Sequence, residues 1–153
     1  MKNSQISACI DANVFISGVA FGGKPLKIIE RALNREFLLI TGSNILNEVQ
    51  RNLLKKLEIQ EDRVERFIAD ISEIASVFVP NGNLNMTVNH GDNLVLEVAM
   101  MGGADVLVTG DKRHLLPLQT HEGIIIEPPS AFLSRPYHLT FTGGRFFIAI
   151  TCD

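Results

Sequence analysis

Five short apolar segments, each long enough for one β-strand, alternate along this chain with segments that have helical spacing of apolar residues. The strand segments are residues 6–10, 37–41, 77–79, 104–109 and 123–126. Strands that alternate with helices favour a parallel sheet covered on both faces. We therefore predict an α/β fold, a Rossmann-like three-layer α/β/α sandwich around a mainly parallel, five-stranded sheet.

Four segments between the strands have the spacing of helices, at about residues 25–35, 43–57, 61–76 and 92–101. Ser43 is expected to cap the second helix, and residues 13–18 are expected to connect the first strand to the first helix. The fourth helix is apolar nearly all round, which is typical of a helix covered on several sides. We predict one domain over residues 1–135 and a tail, residues 136–153, that contains a small hairpin or an edge extension.

Composition excludes several classes of function. The chain has no tryptophan and one tyrosine, which argues against a platform that stacks single-stranded nucleic acid. A net charge of −3 gives no overall basic surface for duplex binding. No apolar run is long enough to cross a bilayer, the N-terminus does not resemble a signal peptide, and two cysteines make no disulfide framework. We expect a cytoplasmic protein with no membrane partner.

Four carboxylates are predicted to lie at one edge of the sheet. Asp11 and Asp111 directly follow strands, and carboxyl ends of parallel strands share an edge. Asp92 begins a helix, and Glu48 lies in the first turns of another. Judged singly, the aspartates could be turn or helix-capping residues and Glu48 a solvated helix residue, but together they indicate a common site.

Such a cluster is unfavourable unless it is neutralised, because like charges raise each other's pKa. Hard divalent cations, Mg²⁺ or Mn²⁺, prefer oxygen ligands and are suited to hydrolysis of phosphodiester bonds. The pattern therefore points to metal-assisted phosphoryl chemistry, with the ligands Asp11, Glu48, Asp92 and Asp111.

Basic residues near these carboxylates are candidates for binding phosphates. Arg51 and Lys55 lie three and seven residues after Glu48 on one helix face, and Lys112 and Arg113 follow Asp111. A solvated charged face is the alternative for each of them. The four histidines show no ligand spacing, and we read the one nearest the site, His114, as a surface residue.

Four segments in this order resemble the PIN (PilT N-terminal) domain family, and in particular the toxin components of toxin–antitoxin pairs. The segments are residues 10–17 (Ile-Asp-Ala-Asn-Val-Phe-Ile-Ser), 43–49 (Ser-Asn-Ile-Leu-Asn-Glu-Val), 92–93 (Asp-Asn) and 104–111 (Ala-Asp-Val-Leu-Val-Thr-Gly-Asp). The resemblance covers residues 7–135. It implies an endoribonuclease that depends on Mg²⁺ or Mn²⁺, with an RNA substrate, a cognate antitoxin and a homodimer.

By this resemblance Asp11, Asp92 and Asp111 bind the metal directly, and Glu48 binds it directly or through water. Asn13, Ser17 and Thr109 are implied as supporting groups.

The chain departs from the family pattern just before Asp92, where relatives often carry further aspartates and this chain has Asn89-His90-Gly91. The departure leaves open one metal ion or two, and a degenerate PIN domain that binds RNA or protein without cleavage. A phosphatase of the haloacid dehalogenase type would need a second aspartate at position 13, where this chain has Asn13, an amide that cannot act as an acid or base.

Overall fold

A six-stranded sheet is the centre of the protein. The structure, a computed structural model, describes residues 5–135 fully and, beyond them, only the backbone of residues 139–142 and 145–148. The strands of the sheet are β1 (Ser7–Ile10), β2 (Leu38–Gly42), β3 (Ser76–Phe78), β4 (Val106–Val108), β5 (Thr120–His121) and β6 (Ile124–Glu127). Their order across the sheet is β3-β2-β1-β4-β6-β5.

Helices flank this sheet and complete the predicted three-layer α/β fold. They are α1 (Ala12–Phe21), α2 (Gly23–Leu33), α3 (Ser43–Lys55), α4 (Glu61–Ile74), α5 (His90–Met101) and α6 (Pro129–Leu133), with a 3₁₀ turn at Leu116–Leu118. Helix α5 packs on β1, β2 and β4, whereas α1 packs on α2 and α3. Within the described residues, no helix combines the length and apolar character needed to traverse a lipid bilayer.

The sheet is mainly parallel, as predicted, but it has six strands rather than five. Strands β1 to β4 and β6 pair in parallel, and only β5 runs antiparallel, against β6. Strand β5 has two residues and lies between two non-glycine residues in left-handed conformations, Gln119 (φ 61°) and Glu122 (φ 50°). A strand this short has no alternation of apolar residues, so the sequence pattern does not reveal it.

The strand order reverses between β1 and β4. From β1 the chain proceeds outward through β2 to β3, and it then returns to place β4 on the other side of β1. The carboxyl ends of β1 and β4 therefore flank a topological switch point, where open α/β sheets bind their ligands. Asp11 follows β1, and Thr109 follows β4.

The prediction that residues 13–18 form a connection was wrong, because α1 begins at Ala12, directly after Asp11. Asp11 occupies the N-cap position, and its Oδ1 accepts a hydrogen bond from the Ala12 amide (2.7 Å). Gly18 allows α2 to lie close against this helix, since a Cβ there would be 2.6 Å from Ile29 Cδ1.

Helix α3 begins at Ser43, so the prediction of Ser43 as its N-cap was one residue out. Gly42 holds the N-cap position and supplies no side-chain hydrogen bond. A Cβ at Gly42 would lie 2.5 Å from Val98 Cγ2 on α5. The close packing of α5 against the end of β2 therefore explains a glycine where a capping side chain was expected.

Helix α5 has the central position that its apolar sequence predicted, with Val95, Leu96, Val98 and Ala99 buried. It begins at His90, two residues before the predicted start. The side chain of Asn89 caps it by accepting a hydrogen bond from the Asp92 amide (3.0 Å). Since Asn89 performs this role, the side chain of Asp92 is not needed as a cap.

Two buried polar residues on α5 hold the loop that precedes it. Asn93 Oδ1 accepts hydrogen bonds from the amides of Met86 (3.1 Å) and Thr87 (2.8 Å). One turn later, the carboxylate of Glu97 accepts hydrogen bonds from the amides of Asn81 and Gly82. The loop between β3 and α5 is thus fixed to the helix that carries Asp92.

In the tail, the backbone of Leu139–Thr142 (β7) and Arg145–Ile148 (β8) forms a two-stranded antiparallel sheet. Residues 143–144, between these two strands, lie outside the described residues. The division of the chain at residue 135 into a domain and a tail stays a prediction.

Candidate metal centre

The switch point between β1 and β4 brings together polar residues that are far apart in the sequence. Asp11 and Thr109 are both buried there, with 5% and 0% of their surface exposed. Thr109 Oγ1 donates a hydrogen bond to Asp11 Oδ2 (2.7 Å) and accepts one from the Asp111 amide (3.0 Å). One threonine hydroxyl therefore links two of the predicted ligands across neighbouring strands.

Asp11 is a buried carboxylate in a region of negative charge. Burial raises its pKa from 3.8 to about 6, against the lowering effect of the hydrogen bonds from Thr109 and Ala12. The charges of Glu48 and Asp111 also raise the pKa of Asp11. Ionised Asp11 is therefore unfavourable in the protein alone and would be stabilised by a cation.

Asn13 and Ser17, the two other predicted supporting residues, lie on α1. Asn13 Nδ2 donates a hydrogen bond to Asp11 Oδ2 (3.3 Å), and its Oδ1 accepts one from the Gly110 amide (3.1 Å). Asn13 therefore also connects the ends of β1 and β4. Ser17 is half-buried one turn further along the helix.

Asp111 organises the turn that follows β4. Its Oδ1 accepts hydrogen bonds from the amides of Arg113 (3.0 Å) and His114 (3.4 Å), and its Oδ2 accepts one from the amide of Leu115 (3.1 Å). Burial acts to raise the pKa of Asp111, but these hydrogen bonds and one from Asp92 outweigh it, so the pKa lies below its usual value. Asp111 therefore stays ionised more readily than Asp11 or Asp92.

Asp92 has the opposite electrostatic character. Burial, followed by the hydrogen bond and charge of Asp111, raises the pKa of Asp92 to about 7. The charge of Asp11 contributes to the rise, and His114 opposes it. When Asp92 and Asp111 are both ionised, Asp92 Oδ2 is buried without a hydrogen-bond partner among the described residues, although nearly all buried polar atoms in proteins have one.

His114 joins this group, although the sequence analysis read it as a surface residue. Its Nδ1 lies 3.0 Å from Asp92 Oδ2 and 3.7 Å from Asp111 Oδ2. The side chain is 26% exposed. The only sequence signal was its position three residues after Asp111, because Asp92 reaches it from a separate segment.

Glu48 and the predicted phosphate-binding residues lie at the surface. Glu48 is exposed on α3, yet its charge acts on Asp11. It lines an open groove of about 260 Å³ together with Arg51, Asn52 and Lys55 of the same helix and with Lys56, the residue that follows the helix. Lys112 and Arg113 are exposed beside Asp111. The structure thus places Arg51 and Lys55 in a groove that begins at Glu48.

The residues at this edge fit a divalent cation. Asp92, Asp111 and His114 each offer a ligand atom, and the three atoms lie within 4.8 Å of one another. A buried oxygen without a hydrogen bond, two acids with raised pKa values, and hard oxygen donors are what a metal site contains before its ion is bound. The arrangement can therefore hold a cation beside Asp11, with His114 as an unexpected nitrogen donor.

Comparisons with known proteins show what this chain is similar to. A family model described as PIN domain matches residues 7–113. The uncharacterized protein MJ1680 of Methanocaldococcus jannaschii is 30% identical over 117 residues, which are 73% of this chain and 75% of that protein.

A solved structure has a similar fold. A chain in the crystal structure of VapBC2 from Rickettsia felis, bound to a DNA fragment from their promoter, matches with a TM-score of 0.57. The match covers 80% of this chain and 98% of that chain, at 12% sequence identity. At this identity the likeness supports the fold.

Proposed function

Because the chain belongs to the PIN-domain family, we propose that it is an endoribonuclease that depends on Mg²⁺ or Mn²⁺ and hydrolyses RNA phosphodiester bonds. The observation that carries the proposal is that Asp92, Asp111 and His114 offer ligand atoms within 4.8 Å of one another, while Thr109 joins the buried Asp11 to Asp111. Glu48 and Asp111 raise the pKa of Asp11, and Asp111 and Asp11 raise that of Asp92. A protein gains nothing in stability from such a cluster, whereas a hydrolase can use it to bind a metal.

In this proposal, Asp11, Asp92 and Asp111 hold the ion, and Glu48 acts from the rim of the site. A bound Mg²⁺ or Mn²⁺ would supply water activation and charge stabilisation at the phosphate. Thr109 and Asn13 hold Asp11 in position relative to the turn after β4 through the hydrogen bonds described above. These two residues therefore position the carboxylates rather than contact RNA.

Cleavage of labelled RNA with Mn²⁺ or Mg²⁺ tests the activity, with Asp11→Asn compared with the wild type. Asp70→Asn, an exposed aspartate on α4, is the matched control. We expect cleavage by the wild type and the control, and a loss of at least about 100-fold in Asp11→Asn, the scale seen when a preorganised charged group is removed from an active site. Equal activity in Asp11→Asn, or none in any of the three, would refute the proposal.

The groove on α3 is the proposed path of the RNA backbone beyond the metal centre. Arg51 and Lys55 are exposed along it, and phosphate contacts of this kind make affinity depend on salt. Replacing both by alanine should reduce the salt slope of single-stranded RNA binding by about 1.4, at about 0.7 for each contact. The paired control, Lys24→Ala with Lys27→Ala on α2, removes the same charge and should leave the slope unchanged.

We further propose that the protein is the toxin of a toxin–antitoxin pair and acts in the cytoplasm, as a homodimer with a cognate antitoxin. The support is the resemblance of residues 104–111 to that group and the fold shared with a chain of VapBC2. Growth arrest on expression, relieved by co-expression of a small neighbouring reading frame, tests this role. Growth unaffected by expression of an active nuclease would favour ordinary RNA processing instead.

A further inference from the structure

We propose that His114 is a metal ligand, and that its nitrogen makes the site prefer transition ions such as Mn²⁺ over Mg²⁺. The inference rests on the proposed metal site and assigns it a donor that the four-acid pattern does not include. It concerns one side chain, the imidazole of His114, and its two neighbours Asp92 and Asp111.

The first argument is geometric. His114 Nδ1 is 3.0 Å from Asp92 Oδ2, yet this buried oxygen has no hydrogen bond within the part of the chain that the structure describes, so the contact does not have hydrogen-bond geometry. Two adjacent ligands of an octahedral ion lie about 3 Å apart when each is roughly 2.1 Å from the metal. The two atoms are thus spaced as neighbouring ligands that face a common point, with Asp111 Oδ2 3.7 Å from the same nitrogen.

The second argument is that the backbone fixes the imidazole in this place. Asp111 accepts hydrogen bonds from three successive amides of the turn, including that of His114. The next residue, Leu115, is fully buried and anchors the turn in the core. The backbone of His114 is therefore fixed, and its half-buried side chain lies over the carboxylates instead of extending into solvent.

The third argument concerns selectivity. Carboxylates and water suit both Mg²⁺ and Mn²⁺, whereas imidazole is a ligand of first-row transition ions, among which Mn²⁺ binds most weakly. A site with one nitrogen and several oxygens accepts Mn²⁺ more readily than an all-oxygen site does. His114 would then act as a specificity-determining residue for the metal. The simpler interpretation, an ion pair between His114 and Asp92, predicts that this nitrogen does not bind the metal.

The experiment is pulsed electron paramagnetic resonance of the Mn²⁺ complex of the full chain, which detects nitrogen bound to the ion without any RNA. The variants are His114→Gln and, as the matched control, His90→Gln, an exposed histidine at the start of α5. Titration calorimetry with Mn²⁺ and Mg²⁺ measures affinity in the same three proteins, and circular dichroism confirms that each is folded.

We expect nitrogen coupling in the wild type and in His90→Gln, and its loss in His114→Gln. We also expect His114→Gln to bind Mn²⁺ at least about tenfold more weakly, with a smaller change for Mg²⁺. Bound Mn²⁺ without nitrogen coupling, or coupling that persists in His114→Gln, would overturn the inference and leave the proposed nuclease intact. Absence of any metal binding would overturn both, and loss of cleavage in Asp11→Asn remains the separate test of the activity.

Discussion

Replacing Asp11 by asparagine should make the metal-free protein more stable while it removes activity. The carboxylate is 5% exposed, and burial raises its pKa from 3.8 to about 6. At about 1.4 kcal/mol for each pH unit, the ionised form costs about 3 kcal/mol at pH 8. The amide keeps the cap on Ala12 but places a donor where Asn13 and Thr109 also donate; the Thr109 hydroxyl can rotate to accept, and the remaining mismatch costs roughly 1 kcal/mol.

The net expectation at pH 8 is a free energy of unfolding higher by roughly 2 kcal/mol, or a Tm higher by about 4–8 °C for a chain of this size. The folded-state pKa of Asp11 exceeds the unfolded value, so the folded protein binds more protons between the two values. Wild-type stability should therefore fall as pH rises from about 4 to 6, and this fall should be smaller in Asp11→Asn.

Urea denaturation in the presence of a chelator, at several pH values from 4 to 8, measures both effects. Asp70→Asn on the surface of α4 should change the free energy of unfolding by less than about 0.5 kcal/mol. The reasoning fails if Asp11→Asn is no more stable than the wild type at pH 8. It also fails if the free energy of unfolding of the wild type rises between pH 4 and 6 by as much as the ionisation of Asp11 is expected to lower it.

Substitutions at three further positions test the residues that support the site. Thr109→Val removes the hydroxyl that joins Asp11 to the turn after β4 and should lower the free energy of unfolding by about 1–3 kcal/mol. Thr109→Ser should recover most of this free energy. An unchanged urea midpoint in the valine variant would contradict a stabilising role of the hydroxyl. Asn93→Leu leaves two loop amides without an acceptor, so hydrogen exchange should accelerate in the loop before α5 and not in the sheet. Gly42→Ala places a Cβ 2.5 Å from a methyl group of α5 and should cost about 1–3 kcal/mol, measured as a lower Tm; no change would mean that the helix moves freely.

The positions of Asp11 and Asp111 were predictable because parallel strands leave the sheet at one edge, and short apolar runs mark those strands. The start of α1 was not, because its sequence is apolar on most sides and contains Gly18, so it lacks a clear helical pattern. Which of Asp92 and Asn89 caps α5 was not predictable for a different reason. Both are good capping residues, and only the backbone conformation decides which one caps the helix.

His114 shows the limit of arguments from spacing. It meets Asp92 across 22 positions of sequence, and no local pattern links the two. A turn organised by Asp111 was the available hint, because a capping aspartate brings the residue three positions later back over its own side chain. The basic face of α3 was easier to foresee, as Arg51 and Lys55 follow Glu48 at helical spacing.

The hydrogen bond between Thr109 and Asp11 spans 98 positions of the chain, and this has a consequence for synthesis. While a ribosome is still making the protein, β1, α1 and β2 emerge first and can pack together, but Asp92 and Asp111 are not yet present. The acids meet only after β4 has docked beside β1, and long-range pairing of this kind forms late and slowly. A nascent or truncated chain that ends before β4 therefore contains three of the four carboxylates but lacks Asp111 and the completed site.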